Sequence, residues 1–346
     1  MPRLLLIIGV ALGLGTVVVA AVMVVELGWP QSGVQREKAR VAKDRRLLSD
    51  ASRGDSGALA RLFSAAETED IAAENDLGCF YYRGRGVKRD YRKAAWWWGR
   101  AVAGGNTVAA GHLGSLYRHG WGVPRDYQKA MRLFRRAAAG GLGDAMVKIG
   151  VLYEDGAGVA QNFRRALSWY RRASAVGNAE AMRGIAYLYL HGLGVSCDYR
   201  EAVAWARRAA AHGSAGGMEE VGYCYERGLG LRRNYRKAMG WYCRAAAHHG
   251  AGGTSAMGGI GWLYEKGYGV TQSYRRAINW YRRAAAGGDV YAMLRIGLLY
   301  QRGLGGPRNL AEAKAWFEKC AAAGDPQARQ ALEKLKVLAR VPTTRK

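Results

Sequence analysis

The side chains best suited to catalysis or metal binding are few and scattered along this sequence. Among the six histidines, His119 and His191 occupy the same place in an internal repeat, and His248 and His249 are adjacent. No His-x-x-x-His or Cys-x-x-Cys spacing, which is typical of metal sites, occurs. Histidine near a helix C-terminus commonly interacts with the helix dipole. We therefore predict no metal, no cofactor and no catalytic residue.

The cysteines and glycines also lack the patterns of an enzyme. The cysteines are odd in number and show no regular pairing: Cys79, Cys197, Cys224, Cys243 and Cys320. A Gly-x-Gly turn recurs, but it joins two predicted helices rather than a strand and a helix, which excludes a dinucleotide-binding fingerprint. No Gly-x-Ser-x-Gly or Walker motif occurs. The sequence predicts a protein that is not an enzyme.

The Gly-x-Gly turn marks the repeat that positions all of these residues. It begins at Gly84, Gly120, Gly156, Gly192, Gly228, Gly267 and Gly303, so the spacing is 36 residues except for one interval of 39. Self-similarity at this period indicates a stack of small units, each burying its apolar face against its neighbours. For a chain of 346 residues, length alone would suggest about two domains, but the repeat predicts one elongated solenoid.

Columns of equivalent residues show that each unit is a helix, a turn and a second helix. A tyrosine lies three residues before each turn and shares a helix face with an aliphatic column. The first glycine of the turn suits the left-handed end of a helix. Six residues later comes a side chain that can cap the second helix: Asp90, Asp126, Asn162, Asp198, Asn234, Ser273 and Asn309. Alanine and tryptophan columns follow and predict the core face of the second helix.

The consensus of these units resembles a known family. The pattern Leu-Gly-x-x-Tyr-x-x-Gly-x-Gly-Val, followed by Asp-Tyr-x-Lys-Ala and Trp-Tyr-x-Arg-Ala-Ala, resembles the Sel1-like repeats, relatives of the tetratricopeptide repeats. The resemblance covers residues 71–325 in seven units. It implies an all-α fold, a right-handed α-solenoid of helix-turn-helix repeats, and a scaffold that binds a protein or peptide. Local departures are Ala186 for glycine, Leu133 for tryptophan, Gly306 for valine, and three extra residues near 249–253.

The rest of the chain is assigned around this array. The predicted segments are an N-terminal flank (1–3), a transmembrane anchor or long signal peptide (4–25), a basic juxtamembrane stem (26–47), a degenerate capping unit (48–70), the seven repeats (71–325), a C-terminal capping helix (326–340) and a basic tail (341–346). The uncharged run of 22 residues from Leu4 to Val25 fits a membrane span better than the shorter core of a cleaved signal. Gly9 and Gly13 form a spacing that favours helix pairing, so self-association through the anchor is expected.

Flanking charge predicts which side of the membrane the repeats occupy. Arg3 precedes the apolar run, whereas six basic residues follow it closely: Arg36, Lys38, Arg40, Lys43, Arg45 and Arg46. The positive-inside rule then places the repeats in the cytoplasm. A periplasmic or exported location is the alternative, because long domains translocate despite nearby charge and many bacterial relatives work in the periplasm. Some cysteine-rich relatives imply a further alternative, an exported hydrolase, but no residue pattern here carries that activity over.

The net charge of +26 concentrates on one face of the second helices. Four columns there supply 21 basic and three acidic residues. One column is basic in all seven units: Arg100, Arg136, Arg172, Arg208, Arg244, Arg283 and Lys319. It reads either as a solvated outer face or as a binder of anionic lipid or nucleic acid. Nucleic acid is disfavoured because the aromatic residues occupy core columns rather than positions for base stacking.

The face of the first helices opposite the repeated tyrosines is the candidate partner site, because related solenoids line their concave surface with it. Its columns differ from unit to unit, unlike the core columns. The candidate contact residues are Tyr187, Tyr223, Trp262, Tyr291, His112, Lys148 and Arg295. The rings could form an aromatic ladder for a peptide or glycan, or pack against neighbouring first helices. The combined prediction is a membrane-anchored adaptor that recognises a protein or peptide partner, with electrostatic binding of lipid or nucleic acid as the alternative.

Overall fold

The structure, a computed structural model, describes residues 47–340 apart from residues 52 and 249. The described residues contain helices and turns and no strand, which confirms the all-α prediction. The predicted anchor 4–25, nearly all of the stem and the basic tail 341–346 lie outside the described residues. Within the described range, no helix combines the length and the apolar character needed to cross a membrane.

The described residues form sixteen helices in two compact units, after a helical segment at 47–51. The first unit ends at Val176 and contains α1 (Ser56–Glu67), α2 (Ile71–Arg83), α3 (Tyr91–Ala103), α4 (Thr107–His119), α5 (Tyr127–Ala139), α6 (Gly143–Asp155) and α7 (Phe163–Ala175). The second begins at Gly177 and contains α8 (Ala179–His191), α9 (Tyr199–Ala211), α10 (Ala215–Arg227), α11 (Tyr235–Ala246), α12 (Ala251–Lys266), α13 (Tyr274–Ala286), α14 (Val290–Arg302), α15 (Leu310–Ala322) and α16 (Pro326–Arg340). From α2 to α15, first and second helices of the repeats alternate.

Every predicted cap of a second helix is confirmed. The side chain of each cap accepts a backbone hydrogen bond in the first turn of its helix, as Asp90 does from Arg92 and Lys93. The amide of Asp90 in turn donates to the carbonyl of Tyr81 at 2.9 Å, which closes the turn. The first glycine of all seven turns has φ between 65° and 76°, the left-handed region that favours glycine. Each cap is expected to stabilise its helix by about 1 kcal/mol.

Within each repeat, a glycine of the first helix faces the side chain of an aromatic residue on the second. Six repeats share this contact: Gly78 with Trp98, Gly114 with Phe134, Gly150 with Tyr170, Gly222 with Tyr242, Gly261 with Tyr281 and Gly297 with Phe317. A Cβ atom at these glycines would lie only 2.4 to 2.8 Å from the ring. The glycine column therefore exists because the two helices approach too closely for any side chain.

In the remaining repeat, alanines replace both the glycine and the aromatic ring. Ala186 replaces the glycine of the first helix, and the ring position opposite it holds Ala206. Both alanines are buried in one cluster with Val221. A methyl group on the first helix thus accompanies the loss of the ring on the second, which explains the departure of Ala186 from the consensus.

The helices of each unit pack in a continuous sequence. A second helix packs against the first helix of its own repeat and against the first helix of the next repeat in the same unit. In the second unit, neighbouring first helices also touch directly: α8 with α10, α10 with α12, and α12 with α14. These direct contacts create a shared surface from the first helices of four repeats.

The three extra residues near 249–253 lengthen α12, which has 16 residues where the other repeat helices have 12 or 13. Gly252 lies against the start of α10, where a Cβ atom would meet the amide nitrogen of Gly216 at 2.3 Å. Ser255, in the first turns of α12, donates a hydrogen bond of 3.2 Å to Glu219. The insertion therefore adds a contact between neighbouring first helices.

Candidate partner-binding site

One face of the first helices in the second unit combines aromatic, acidic and basic side chains. It is formed by the positions five, eight, nine and twelve residues before the turn glycine, which span an arc of about 100° on a helix. We call this surface the first-helix wall; it comprises Glu180, Arg183 and Tyr187 on α8, Glu219, Glu220 and Tyr223 on α10, Ser255 and Trp262 on α12, and Tyr291 and Arg295 on α14. Five of the predicted contact residues lie on it.

The four aromatic members of the wall differ in exposure. Tyr187 and Tyr291 are 37% and 48% exposed, whereas Tyr223 and Trp262 are half-buried. Each contacts a ring or a guanidinium outside this set. The ring centroid of His191 lies 4.3 Å from that of Tyr187, that of Tyr281 lies 6.4 Å from Tyr291, and that of Tyr268 lies 5.3 Å from Trp262, while the guanidinium of Arg227 lies 5.6 Å from the centroid of Tyr223. The rings therefore stand as separate anchors, each supported by its own neighbour.

Two of the predicted contact residues are also tied to the interior. Trp262 packs against two core clusters, one containing Tyr242 and the other Tyr281. Arg295 donates hydrogen bonds to both carboxylate oxygens of buried Glu265, with its Nε 3.0 Å from Oε2. Replacing either residue would disturb packing as well as any surface contact. The two exposed tyrosines are therefore the cleaner probes of the wall.

The two remaining predicted residues lie in the first unit. His112, on α4, is half-buried and stacks on the indole of Trp98 with ring centroids 4.9 Å apart. Burial lowers the pKa of His112, and the charge of Arg83 adds to this effect. Lys148, on α6, is half-buried. These residues occupy the same repeat column as Arg295, but neither belongs to the first-helix wall of the second unit.

Carboxylates gather where α8 and α10 meet on the wall. The Nε of Arg183 lies 2.9 Å from Oε2 of Glu180, and its Nη1 lies 3.8 Å from Oε1 of Glu220. Glu180 also accepts a hydrogen bond of 2.9 Å from Ser214, and Glu219 accepts one from the serine on α12. Glu220 is buried, and its Oε2 has no hydrogen-bond partner among the described residues.

Burial controls the protonation of these acids. It raises the pKa of Glu220 to about 8; Arg183 opposes the shift, and the charges of Glu219 and Glu180 add to it. Burial also raises the pKa of Glu219. It acts in the same direction on Glu180, but the hydrogen bond and charge of Arg183 lower the pKa of that carboxyl overall. In the described part of the chain, no three histidine, cysteine or acidic side chains are arranged to hold a metal ion.

The sequence alone does not single out Glu220. It belongs to a column that reads Gly184, Glu220, Gly259 and Arg295 in the second unit. The available signal is one acid between two glycines in a strongly basic chain. Its burial and its unpaired oxygen depend on how α8 packs on α10, which repeat periodicity does not specify.

The basic stripe, the predicted column from Arg100 to Lys319, is built onto aromatic rings. Six of its members lie over the tryptophan three residues earlier, with the cation 4.1 to 5.3 Å from the ring centroid: Arg100 over Trp97, Arg172 over Trp169, Arg208 over Trp205, Arg244 over Trp241, Arg283 over Trp280 and Lys319 over Trp316. Leu133 takes the tryptophan position below Arg136. Arg100 is half-buried and pairs with Glu74 at 2.8 Å, while the other six are exposed.

Arginines beside the stripe connect successive repeats. The guanidinium groups donate to the tyrosine hydroxyl of the next repeat: Arg135 to Tyr153 at 3.3 Å, Arg207 to Tyr225 at 3.0 Å and Arg282 to Tyr300 at 2.5 Å. Much of the basic face thus has a role within the fold, which favours the solvated-face interpretation over a dedicated anion site.

Repeated helix-turn-helix units with capped second helices and a glycine-to-ring contact define an α-solenoid repeat protein. The family model described as Sel1 repeat matches seven consecutive segments: 71–106, 107–142, 143–178, 179–214, 215–249, 254–289 and 290–325. The chain therefore belongs to the Sel1 repeat family, whose members generally serve as protein-interaction scaffolds. The predicted family is confirmed.

Two solved structures illustrate the similarity. The chain is 29% identical to a Sel1 repeat protein from Oxalobacter formigenes, with a TM-score of 0.63, covering 71% of this chain and 96% of that one. It is 28% identical to c5321, a protective antigen of uropathogenic Escherichia coli strains with an SLR fold, with a TM-score of 0.61 over 86% of this chain. The match spans 65% of the length of the antigen. No curated protein matches the chain.

Proposed function

We propose that this protein is an adaptor whose first-helix wall binds a protein or peptide partner. The observation that carries the proposal is the exposure of Tyr187 and Tyr291 on the wall, at 37% and 48%, beside Ile185 and Ile296, which are fully buried on the same helices. Tyrosine is enriched at binding hot spots because a large ring gains contact area while losing little conformational entropy. Rigid helices hold both rings, so binding requires little further ordering.

The chemical variety of the wall also supports recognition of a specific partner. The core column of the second unit repeats one type of residue, as Ile185, Val221 and Ile260 do. The wall instead presents a different set of aromatic, acidic and basic groups in each repeat. A surface that changes along the array can distinguish one partner sequence from another, whereas a repeated surface presents the same group several times.

The test is capture of partners from the cells that express the protein, by full-length wild type and by two double variants. Tyr187→Ala/Tyr291→Ala removes the exposed rings of the wall. Trp96→Ala/Trp121→Ala removes two exposed rings of the first unit, 56% and 39% exposed, that lie outside the wall. We expect the first variant alone to lose the dominant partner while keeping the helical circular dichroism of the wild type. Equal capture by all three proteins would refute the proposal.

We also propose that residues 4–25 hold the adaptor in a membrane with its repeats in the cytoplasm. The apolar run and the basic residues after it support this arrangement. Cys197 and Cys243 are exposed reporters of the side on which the repeats lie. A membrane-impermeant maleimide should label them in spheroplasts only after lysis, and carbonate washing should leave the protein in the membrane fraction. Labelling of intact spheroplasts would reverse the proposed orientation.

A further inference from the structure

The acidic part of the first-helix wall stands out because the whole chain is strongly basic. The net charge is +26, with 53 lysines and arginines against 27 acids. Where α8 meets α10, however, Glu180, Glu219 and Glu220 surround one cation, Arg183. When all three acids are ionised, this place carries an excess of negative charge. It therefore complements a cation in a molecule that elsewhere repels cations.

Glu220 is the carboxylate of this group that lacks a full set of donors. Glu220 is 9% exposed, and its Oε2 has no hydrogen-bond partner among the described residues. Its other oxygen, Oε1, lies 3.8 Å from Nη1 of Arg183, and that arginine pairs more closely with Glu180, at 2.9 Å. A buried carboxylate oxygen without a donor is costly, so a group that can donate to it gains affinity from satisfying it.

The neighbours of Glu220 on the adjoining first helices are small. The equivalent positions are Gly184 and Gly259, and the ring of Tyr242 packs against Gly259, where a Cβ atom would lie 2.9 Å from it. The Arg183 side chain is 40% exposed, and its Nη1 lies 3.8 Å from Oε1 of Glu220. Rotation of such a side chain is fast, so a partner cation can reach Glu220 by displacing the guanidinium. Tyr187 and Tyr223 follow three residues after Gly184 and Glu220 and flank the position along the wall.

We propose that Glu220, with Glu180 and Glu219 beside it, is a subsite for a lysine or arginine side chain of the protein partner. The ammonium or guanidinium group donates to Oε2 of Glu220, while Tyr187 and Tyr223 contact the alkyl stem. This inference rests on the proposed function, because it names the chemistry that the same wall recognises. It goes beyond that function by requiring a basic residue at the centre of the bound segment.

Protonation gives the subsite a recognisable pH dependence. The groups that face Glu220 are Glu180 and Arg183 from α8 and Glu219 and the Cys224 thiol from α10. Burial raises the pKa of Glu220 to about 8, so the carboxyl holds a proton at pH 6 and is ionised at pH 9. A lysine ammonium keeps its charge across this range. Binding of a basic peptide through Glu220 should therefore strengthen as pH rises from 6 to 9.

The experiment measures retention of labelled full-length protein in detergent on two pools of immobilised nonapeptides. Both pools have randomised flanks rich in aromatic and aliphatic residues; one has lysine at the centre and the other has norleucine. At 0.15 M salt and pH 9, where Glu220 is ionised, we expect the lysine pool to retain wild-type protein about tenfold more strongly, as one charge-assisted hydrogen bond would produce. Glu220→Gln should reduce this ratio to less than twofold and abolish its rise with pH.

Two further variants separate the subsite from the wall. Glu318→Gln removes one exposed acid from α15 and changes the net charge equally, so it should keep the wild-type ratio. Tyr187→Ala/Tyr291→Ala should weaken binding to both pools. Equal retention by the two pools, or a lysine preference that survives Glu220→Gln, would overturn the subsite while leaving the wall intact. If wild type binds neither pool, or the tyrosine variant binds both as wild type does, the proposed function fails as well.

Discussion

The phenolic hydroxyl of Tyr242 donates a hydrogen bond of 2.8 Å to Oε2 of Glu226, and both side chains are buried. The same bond recurs between Tyr170 and Glu154 at 2.6 Å and between Tyr281 and Glu265 at 3.0 Å. The other four repeats have neither the glutamate nor the tyrosine at these positions: they hold Tyr82 with Trp98, Arg118 with Phe134, Leu190 with Ala206, and Gln301 with Phe317. The glutamate therefore occurs only where a hydroxyl meets it.

Removal of the Tyr242 hydroxyl should destabilise the protein. Tyr242→Phe leaves the carboxyl of Glu226 buried without its donor, so we expect the free energy of unfolding to fall by about 1 to 3 kcal/mol. The double variant Glu226→Gln/Tyr242→Phe reproduces the natural pair of the last repeat and should recover most of this loss. Urea unfolding followed by circular dichroism measures both. A double variant no more stable than the single one would contradict the role assigned to the pair.

The contact between glycine and ring predicts a strong coupling between helices. Gly297→Ala would place a Cβ atom 2.5 Å from the Phe317 ring, so overpacking should cost about 1 to 3 kcal/mol. In the background Phe317→Ala, which recreates the natural arrangement of Ala186 and Ala206, the same substitution should cost far less. A double-mutant cycle of unfolding free energies measures the coupling, which we expect to exceed about 0.5 kcal/mol. Additive effects would show that the ring does not impose the glycine.

The stacked cations of the basic stripe should contribute modestly to stability. Arg283 lies 4.2 Å from the centroid of Trp280, so Arg283→Gln should cost about 0.5 to 1 kcal/mol, as expected for an exposed cation–π pair. Arg136→Gln is the matched control, because Leu133 occupies the tryptophan position in that repeat. Chemical unfolding of both variants tests the difference. Equal losses would attribute the effect to charge or helix propensity instead of the ring.

The buried carboxyl of Glu220 should make stability fall as pH rises. Its pKa is raised from 4.5 to about 8 in the folded chain, so between these values folding retains a proton that the unfolded chain releases. The loss of folding stability caused by ionising this carboxyl is absent below pH 4.5 and complete above pH 8. Each unit of pKa corresponds to about 1.4 kcal/mol, so Glu220→Gln should be more stable than wild type at pH 8 by a few kcal/mol. Unfolding at pH 5 and pH 8, with Glu318→Gln as control, should show this widening difference; a constant difference would argue against a buried, protonated Glu220.

The periodic features of the fold are predictable from sequence because each is repeated. The caps such as Asp90 and the left-handed glycines such as Gly84 depend on local backbone geometry, which seven copies make unmistakable. Ala186 and Ala206 are both visible in the sequence as departures from the repeat pattern. That they face each other is known only from the packing of the two helices. Contacts of this kind become visible only in the packed structure.

The wall is less predictable because its residues do not repeat. Helix periodicity predicts that the rings of Tyr187 and Tyr291 are exposed. It does not predict the core contacts of Trp262 or the hydrogen bonds from Arg295 to Glu265. Glu220 is the extreme case, since its burial depends on the approach of a neighbouring helix. A single position whose environment is set by tertiary packing has no equivalent in the other repeats. Repetition therefore cannot reveal it as it reveals the caps.

Photo-crosslinking from the first-helix wall detects a bound partner in cells. p-Benzoylphenylalanine is introduced into the full-length protein in cells in place of Tyr187, Tyr291, Trp96 or Trp121, all of which are exposed. We predict that one dominant protein is crosslinked from positions 187 and 291 and not from positions 96 and 121. Crosslinking of the same proteins from all four positions, or of none from the two wall positions, would contradict a partner-binding first-helix wall.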